Sequence, residues 1–277
     1  MNDLSSFLFV SNEQLQIGHD AGRAQGAPKK IKEYRSTAGS LRGRPPSDLD
    51  GTLNGIWWIL CTGAMWNQIP SVHGKHNSIW KCFRRWCESG MWAWILAKLA
   101  NQYDEFHVAL ILDASHVKAH QDASRNSLDA DSQALGKTKG GRNTKLSAVV
   151  NLTGRLVALK LVPGNQHDVK SAAEVLPKDL SGSFVLGDKG YDSDALRAEI
   201  AERGGVSNIP PKSNRKSFVK YSSEVGKVRH KVENFFCRIK SYRRVATRYD
   251  QLPQTYIGFV SLAAIIDWIR FEFVHAA

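Results

Sequence analysis

Apolar residues recur at Val225, Val228, Val232, Phe235, Ile239 and Tyr242, the alternating three-and-four spacing of one helix face. The pattern predicts an amphipathic helix within residues 225–250. On it Arg229, Glu233 and Lys240 fall at i, i+4 and i+11 and share a second stripe, roughly 100° from the first. One acid, Glu233, thus stands on a rigid element in a segment otherwise rich in cations. Taken alone, this helix is explained as well by surface ion pairs as by function.

Upstream the period is also helical. Leu53, Ile56, Trp57 and Leu60 form the inward face of a helix over 50–61, with Gly63 as its C-cap. Asn77 or Ser78 caps a second helix, which turns Ile79, Phe83 and Trp86 to one side, carries Lys81, Arg84 and Arg85 elsewhere, and stops at Gly90. A third covers 91–103. Short Trp-rich helices, one of them basic, suggest a helix-turn-helix-like DNA-binding module over 50–105; a purely structural helical cap is the competing reading.

From His107 the texture changes. HVALILD (107–113) is near-continuously apolar, as in a strand buried on both faces, and ends on Asp113. Residues 146–151 and 155–162 read as strands joined at Thr153-Gly154, 167–176 as a helix, and 184–187 as a strand ending on Asp188. A helix over 193–203 and a strand over 206–209, closed by Pro210-Pro211, follow. Three strands in succession and then alternating helix and strand imply an α/β fold, a mixed sheet with flanking helices over 106–277. The apolar stretch 256–266, followed by Asp267 and Arg270, is too short to span a bilayer and reads as a core helix.

Charge sharpens this picture. The 277 residues carry a formal +12, with a pI near 9.6, which points to a polyanionic partner, most simply double-stranded DNA. Residues 211–250 hold twelve Lys or Arg against Glu224, Glu233 and Asp250, a net +9. Residues 1–49 read as a basic, flexible arm in which Arg42-Gly43-Arg44-Pro45 has the form of a minor-groove hook, a plain basic linker being the alternative. In the Gly-rich stretch before the second strand, Lys137, Lys139, Arg142 and Lys145 are candidate phosphate contacts. Four cysteines make no disulfide framework, and no signal peptide is recognised, so a reducing cytoplasm is expected. Cys61, His73, His76, Cys82 and Cys87 lack the spacing of a zinc finger and read as buried thiols.

Asp113 and Asp188 each follow a buried apolar run, where functional groups of an α/β sheet converge. With Glu233 they make three carboxylates on three rigid elements, a donor set suited to two Mg²⁺ or Mn²⁺ ions about 4 Å apart that promote phosphoryl transfer. Each Asp alone is as well read as a turn or cap residue.

The chain resembles a known family. The residues that carry the resemblance are Leu112-Asp113-Ala-Ser-His116-Val-Lys118-Ala-His120; Ala134-Leu135-Gly136 with Gly140-Gly141-Arg-Asn-Thr144-Lys145; Pro163-Gly164-Asn-Gln-His167-Asp168; Gly187-Asp188-Lys189-Gly190-Tyr191-Asp192-Ser193; and Arg229-His-Lys-Val-Glu233 through Lys240, followed by Arg243-Arg244 and Thr247-Arg248-Tyr249-Asp250. From about Asn54 onward they resemble the DDE transposases of bacterial insertion sequences, in the group related to insertion sequence five. The resemblance implies an RNase H-like catalytic fold with Asp113, Asp188 and Glu233 as ligands of two metal ions, and Arg229 and Lys240 on DNA near the scissile phosphate. Lys189, Arg243, Arg244, Lys145, Arg142, Lys81, Arg84, Arg85, Arg42 and Arg44 are the further candidate DNA contacts. The family signature has a tyrosine three positions before the arginine, where this chain has Gly226; Tyr221 is the nearest tyrosine. Residues 1–50 match poorly.

The expected activity is that of a transposase: binding of the terminal inverted repeats, cleavage at the element ends, and joining of the 3′-hydroxyl to target DNA. A dimer or larger assembly on DNA, in the bacterial cytoplasm at the nucleoid, is expected with it. A metal-dependent nuclease without strand transfer and a catalytically inactive DNA-binding repressor are the alternatives.

Overall fold

The computed structural model describes residues 48–101, 108–124 and 133–275, with side chains described through Phe271. Its centre is β1 (Ala109–Ala119), whose side chains alternate between two cores. Leu110 and Leu112 face one way, Ile111 and Val117 the other. Beside it β3 (Gly141–Val150) runs antiparallel, bordered in turn by β2 (Gly136–Thr138) and β4 (Leu156–Pro163). On the opposite edge of β1 lie β5 (Phe184–Leu186) and then β6 (Val206–Asn208), both parallel to it. The order β4-β3-β1-β5-β6, with only β3 reversed in direction, is the RNase H-like mixed sheet implied by the resemblance.

Helices cover both faces. α4 (Asp168–Val175) and α5 (Asp194–Glu202) place Ala172, Val175, Leu196 and Ile200 against Leu110, Leu112, Val149 and Val185. The other face takes the helices of both chain ends. α1 (Leu49–Thr62) is capped by Asp48, which accepts from the Gly51 amide at 2.9 Å, and ends on Gly63 at φ 67°. α2 (His76–Glu88) starts one to two residues before the expected cap, on Lys75, without a side-chain cap. α3 (Met91–Asn101) follows.

The segment expected as one helix over 225–250 is in pieces. α6 (Ser223–Gly226), a 3₁₀ turn at Lys227–Arg229, α7 (His230–Ile239), α8 (Arg243–Ala246) and β7 (Thr247–Arg248) succeed one another. The chain is then recruited to the sheet, where Thr247 pairs with Lys118 of β1. The apolar spacing survives, with Val232, Phe235, Ile239 and Tyr242 buried and Val225 and Val228 partly so. Two other expectations change. β1 continues past Asp113, held by β3 as far as Lys118↔Asn143, and the Gly-rich stretch read as loop supplies β2 and the start of β3.

α9 (Pro253–His275) is the spine that joins the ends of the chain. Phe259 meets Phe83 of α2 at 4.3 Å between ring centroids and Trp66 at 5.9 Å. At Gly258 the helix passes so close that any side chain would collide with the Cys87 thiol. Ile56, Phe83 and Trp92 therefore share one apolar core with Phe235, Tyr256 and Phe259, so the helices over 50–101 are packed against α7, α9 and the sheet rather than onto a core of their own. Among the described residues no helix is long and apolar enough to cross a membrane.

Candidate active site

β1 and β5 pair in parallel with Ile111 opposite Leu186 as the last pair; Asp113, within β1, and Asp188, past the end of β5, each follow it by two residues. Beyond Leu186 the β5 neighbour is gone, and β7 joins the same edge of β1 only at Lys118. Asp113 lies within β1 beside that gap, just past the carboxyl end of the neighbouring parallel strand β5. By strand alternation it lies on the Ile111 side, the side that α7 covers.

Each carboxylate is held by backbone. Asp113 accepts from the Ala114 amide at 2.8 Å, and Asp188 accepts from the Gly190 amide at 2.8 Å as it caps the short turn Lys189–Tyr191. Burial pushes the Asp113 carboxyl above its ordinary range; the Ala114 amide and Arg229 oppose that rise, while Asp188 and Glu233 add to it. Three carboxylates thus act on one another here, and the site as a whole favours a cation.

Glu233 reaches the crevice because Val232, Phe235 and Ile239 fix the opposite side of α7 in the core. Arg229 spans the acids, with Nη2 2.9 Å from Glu233 Oε1 and Nη1 3.9 Å from Asp113 Oδ2. Lys240, at the far end of α7, donates from Nζ to Ser115 Oγ at 2.6 Å and to the His116 carbonyl at 2.9 Å. Ser115 shares the Asp113 face of β1, so Lys240 ties α7 to β1; its burial holds its pKa below the usual lysine value. Arg229, Glu233 and Lys240 are thus brought to the β1 crevice, as the shared stripe implies.

The other candidate cations divide. Lys81, Arg142, Lys189 and Arg243 are exposed, as are Lys137 and Lys139. Arg84 is exposed but paired with Glu88 at 2.7 Å, and Arg85 is half-buried with Nη2 3.7 Å from Cys82 Sγ. Two candidates are corrected by burial. Lys145 donates to Asp168 at 2.7 Å and to the Gln166 carbonyl at 2.8 Å beneath α4. Arg244 is locked by two hydrogen bonds, 2.9 and 3.0 Å, to buried Asp250. Neither charge faces solvent: buried Lys145 is engaged by Asp168 at the start of α4, and Arg244 by Asp250 in the core. Arg42 and Arg44 lie outside the described residues.

Three features escaped the sequence reading. Asp192, its side chain 1% exposed, accepts from the Lys212 amide at 2.8 Å, from Arg197 at 2.9 Å and from Arg215 at 2.6 Å. Burial works against its charge, yet these donors outweigh it and hold the carboxyl below the usual range. Tyr191, its ring in the core beneath α4 and its hydroxyl without a hydrogen-bond partner, is pushed to a higher pKa by burial and by Asp168, Asp113 and Asp188. At Gly226, the departure from the family signature, a Cβ would collide with the Tyr221 hydroxyl. The tyrosine five residues upstream lies over the glycine and fills the space a side chain at 226 would take. Only its nearness in sequence hinted at this.

For divalent cations the residues fit in kind: three oxygen donors on separate rigid elements, one with its charge opposed by its neighbours. Among the described residues no three His, Cys, Asp or Glu side chains stand close enough to hold an ion as arranged, and Arg229 draws Glu233 to itself. Closure of the ligand set therefore requires the half-exposed Glu233 side chain to turn.

The family described as a transposase DDE domain matches residues 104–268, and a second, described as a putative transposase of the IS4/5 family, matches residues 29–96. A putative transposase for insertion sequence element IS6501 from Brucella ovis is 35% identical over 128 residues, covering 46% of this chain and 98% of that one. The protein y4sN of Sinorhizobium fredii is 30% identical over 91 residues, 32% of this chain and 63% of that one. Among solved structures, the Mos1 transposase paired-end complex with left transposon end aligns over 81% of this chain and 89% of that one, at 10% identity and a TM-score of 0.27, a likeness too distant to carry argument.

Proposed function

We propose that this chain, which belongs to the DDE-domain transposases, cuts the ends of its own insertion element and joins them to new DNA. The observation that carries the reading is that Asp113 in β1 and Asp188 just past β5 both follow the last rung those strands share, Ile111–Leu186, with Glu233 on α7 linked to Asp113 through Arg229. In cleavage, water attacks the scissile phosphorus, the bond to the 3′-oxygen breaks, and a 3′-hydroxyl and a 5′-phosphate are left. In joining, that 3′-hydroxyl attacks a target phosphodiester and displaces the target's own 3′-oxygen. Asp113, Asp188 and Glu233 would hold two Mg²⁺ or Mn²⁺ ions, whose chemistry there is to activate the attacking oxygen and stabilise the leaving one.

The chain's own contribution is alignment and charge. Arg229 is poised to leave the carboxylates for a phosphate oxygen, while Lys240 keeps α7 in register with β1. Exposed Lys81 on α2, with Arg142, Lys189 and Arg243, supplies sequence-independent affinity for the double-stranded terminal repeats and target. Two ends must meet, so the working form is a dimer or larger assembly on DNA. The experiment is strand transfer: a labelled repeat end, plasmid target and Mg²⁺. Joined product supports the proposal. Cleavage without joining would make the chain a nuclease, and retarded but uncut DNA a repressor.

A further inference from the structure

Two motifs of the resemblance, Thr144-Lys145 and His167-Asp168, have no part in the mechanism, yet the fold brings them together. Lys145 stands on the face of β3 that α4 covers, its side chain only 7% exposed. Its ammonium donates to Asp168 Oδ1 at 2.7 Å and to the Gln166 carbonyl at 2.8 Å, which fixes where α4 begins. α4 in turn packs on the short turn Lys189–Tyr191, the one that Asp188 caps through the Gly190 amide. Tyr191 shares the core beneath α4 with Ala172 and Val175. It is 1% exposed, and a Cβ on Gly187, the residue before Asp188, would stand 3.1 Å from its Cδ2. Its hydroxyl has no hydrogen-bond partner, and among the acids that act on it Asp168 comes first, ahead of Asp113 and Asp188.

A buried ammonium–carboxylate pair is a weak source of stability, because desolvation offsets most of its attraction. What the pair sets is geometry. We infer that Lys145 and Asp168 are positioning residues for Asp188, acting through the first turn of α4 and the Tyr191 ring to hold that carboxylate where it takes a divalent cation. A field effect predicts the opposite outcome for one substitution. Lys145→Met removes a positive charge from the neighbourhood of the acids, so by Coulomb's law alone the site would hold a cation more tightly. Positioning makes the same change weaken it.

The inference rests on the metal-binding reading of Asp188, and the test separates the two. Mn²⁺ binding to the full chain is followed by electron paramagnetic resonance, with Asp188→Asn as the background. Lys145→Met should weaken the Asp188-dependent binding by about tenfold, the scale of a lost partner behind a metal ligand. The Mg²⁺ concentration that half-saturates end cleavage should rise with it, while affinity for the element's end stays within about threefold, since Lys145 makes no phosphate contact. Lys145→Arg, which can still pair with Asp168, should recover the binding. If Lys145→Met fails to unfold cooperatively in urea, Lys145→Gln, neutral but still a donor to the Gln166 carbonyl, carries the same comparison. Mn²⁺ binding that is unchanged or tighter without the ammonium overturns the inference alone, as does a loss that Lys145→Arg does not repair. A wild-type chain that binds no more Mn²⁺ than Asp188→Asn overturns the metal reading, and the inference with it.

Discussion

Replacing Asp250 by Asn separates structure from DNA binding at Arg244. The two side chains are 7% and 6% exposed and joined by two hydrogen bonds. Removing one partner of a buried ion pair leaves a desolvated charge, at a cost of about 3–5 kcal/mol. Some of that is recovered, because Arg244 keeps the Ala64 carbonyl at 3.3 Å and lies 5.3 and 5.4 Å from the Tyr249 and Phe259 ring centroids. Those contacts offset roughly 1 kcal/mol. The expected net loss, about 3 kcal/mol, corresponds to a fall of roughly 6 °C in melting temperature for a chain of this size. Urea unfolding should show the loss as a lower midpoint at constant slope. Arg244→Gln should be comparably destabilised, and neither variant should change the dependence of nonspecific DNA affinity on salt. The refuting result is an Arg244→Gln chain of native stability whose salt slope has fallen by about one phosphate contact.

Asp188→Asn should cost several kcal/mol of transition-state stabilisation, roughly a thousandfold or more in end cleavage, and leave repeat binding in a mobility-shift assay intact; loss of binding as well would make Asp188 structural. Asp192 has a pH signature. Its folded pKa lies below the ordinary value, so the unfolded chain binds more protons between the two, and its stabilisation is full above the ordinary carboxylate range and lost as pH falls through the folded value. Asp192→Asn should therefore melt well below wild type at pH 7 and converge on it toward pH ~3; a gap that persists in acid would assign the loss to packing instead. A fragment lacking residues 1–105 should fail to unfold cooperatively in urea, because it uncovers the faces of Phe259 and Tyr256 that meet the N-terminal helices. A cooperative fragment would mean that the shared core is dispensable.

What the sequence disclosed follows from what patterning encodes. The period-2 and period-3.6 signals found β1, the helices and the apolar face of α7, because burial on one side leaves a periodic mark. They stopped short at β1 and misjudged residues 136–145, because a strand flanked by paired neighbours needs no apolar alternation to persist: the β3 ladder holds it. The break of residues 225–250 into α6, α7, α8 and β7 was equally hidden, since the strand that β7 pairs with is β1, more than a hundred residues earlier in the chain.

Charge was the least legible quantity. Arg229, Lys145 and Arg244 are alike in sequence, each a cation in a basic or polar stretch. The fold distinguishes them only by which acid lies opposite: Asp113 and Glu233 for Arg229, Asp168 at the start of α4 for Lys145, Asp250 in the core for Arg244. A cation count therefore overstates the DNA-facing surface, and part of the net +9 of residues 211–250 is engaged within the protein. Arg238, paired with Asp267 at 2.6 Å, and Arg248, fully buried on the carbonyls of Asp250 and Gln251, belong to that inward set as well. What remains outward in this stretch is Lys212, Lys216, Lys220, Lys227, Arg243 and, in part, Lys231 on α7. The acids behave oppositely. Asp113 and Asp188 each lie two residues past the paired Ile111 and Leu186, so two positions that looked independent in sequence follow from one rung of the sheet.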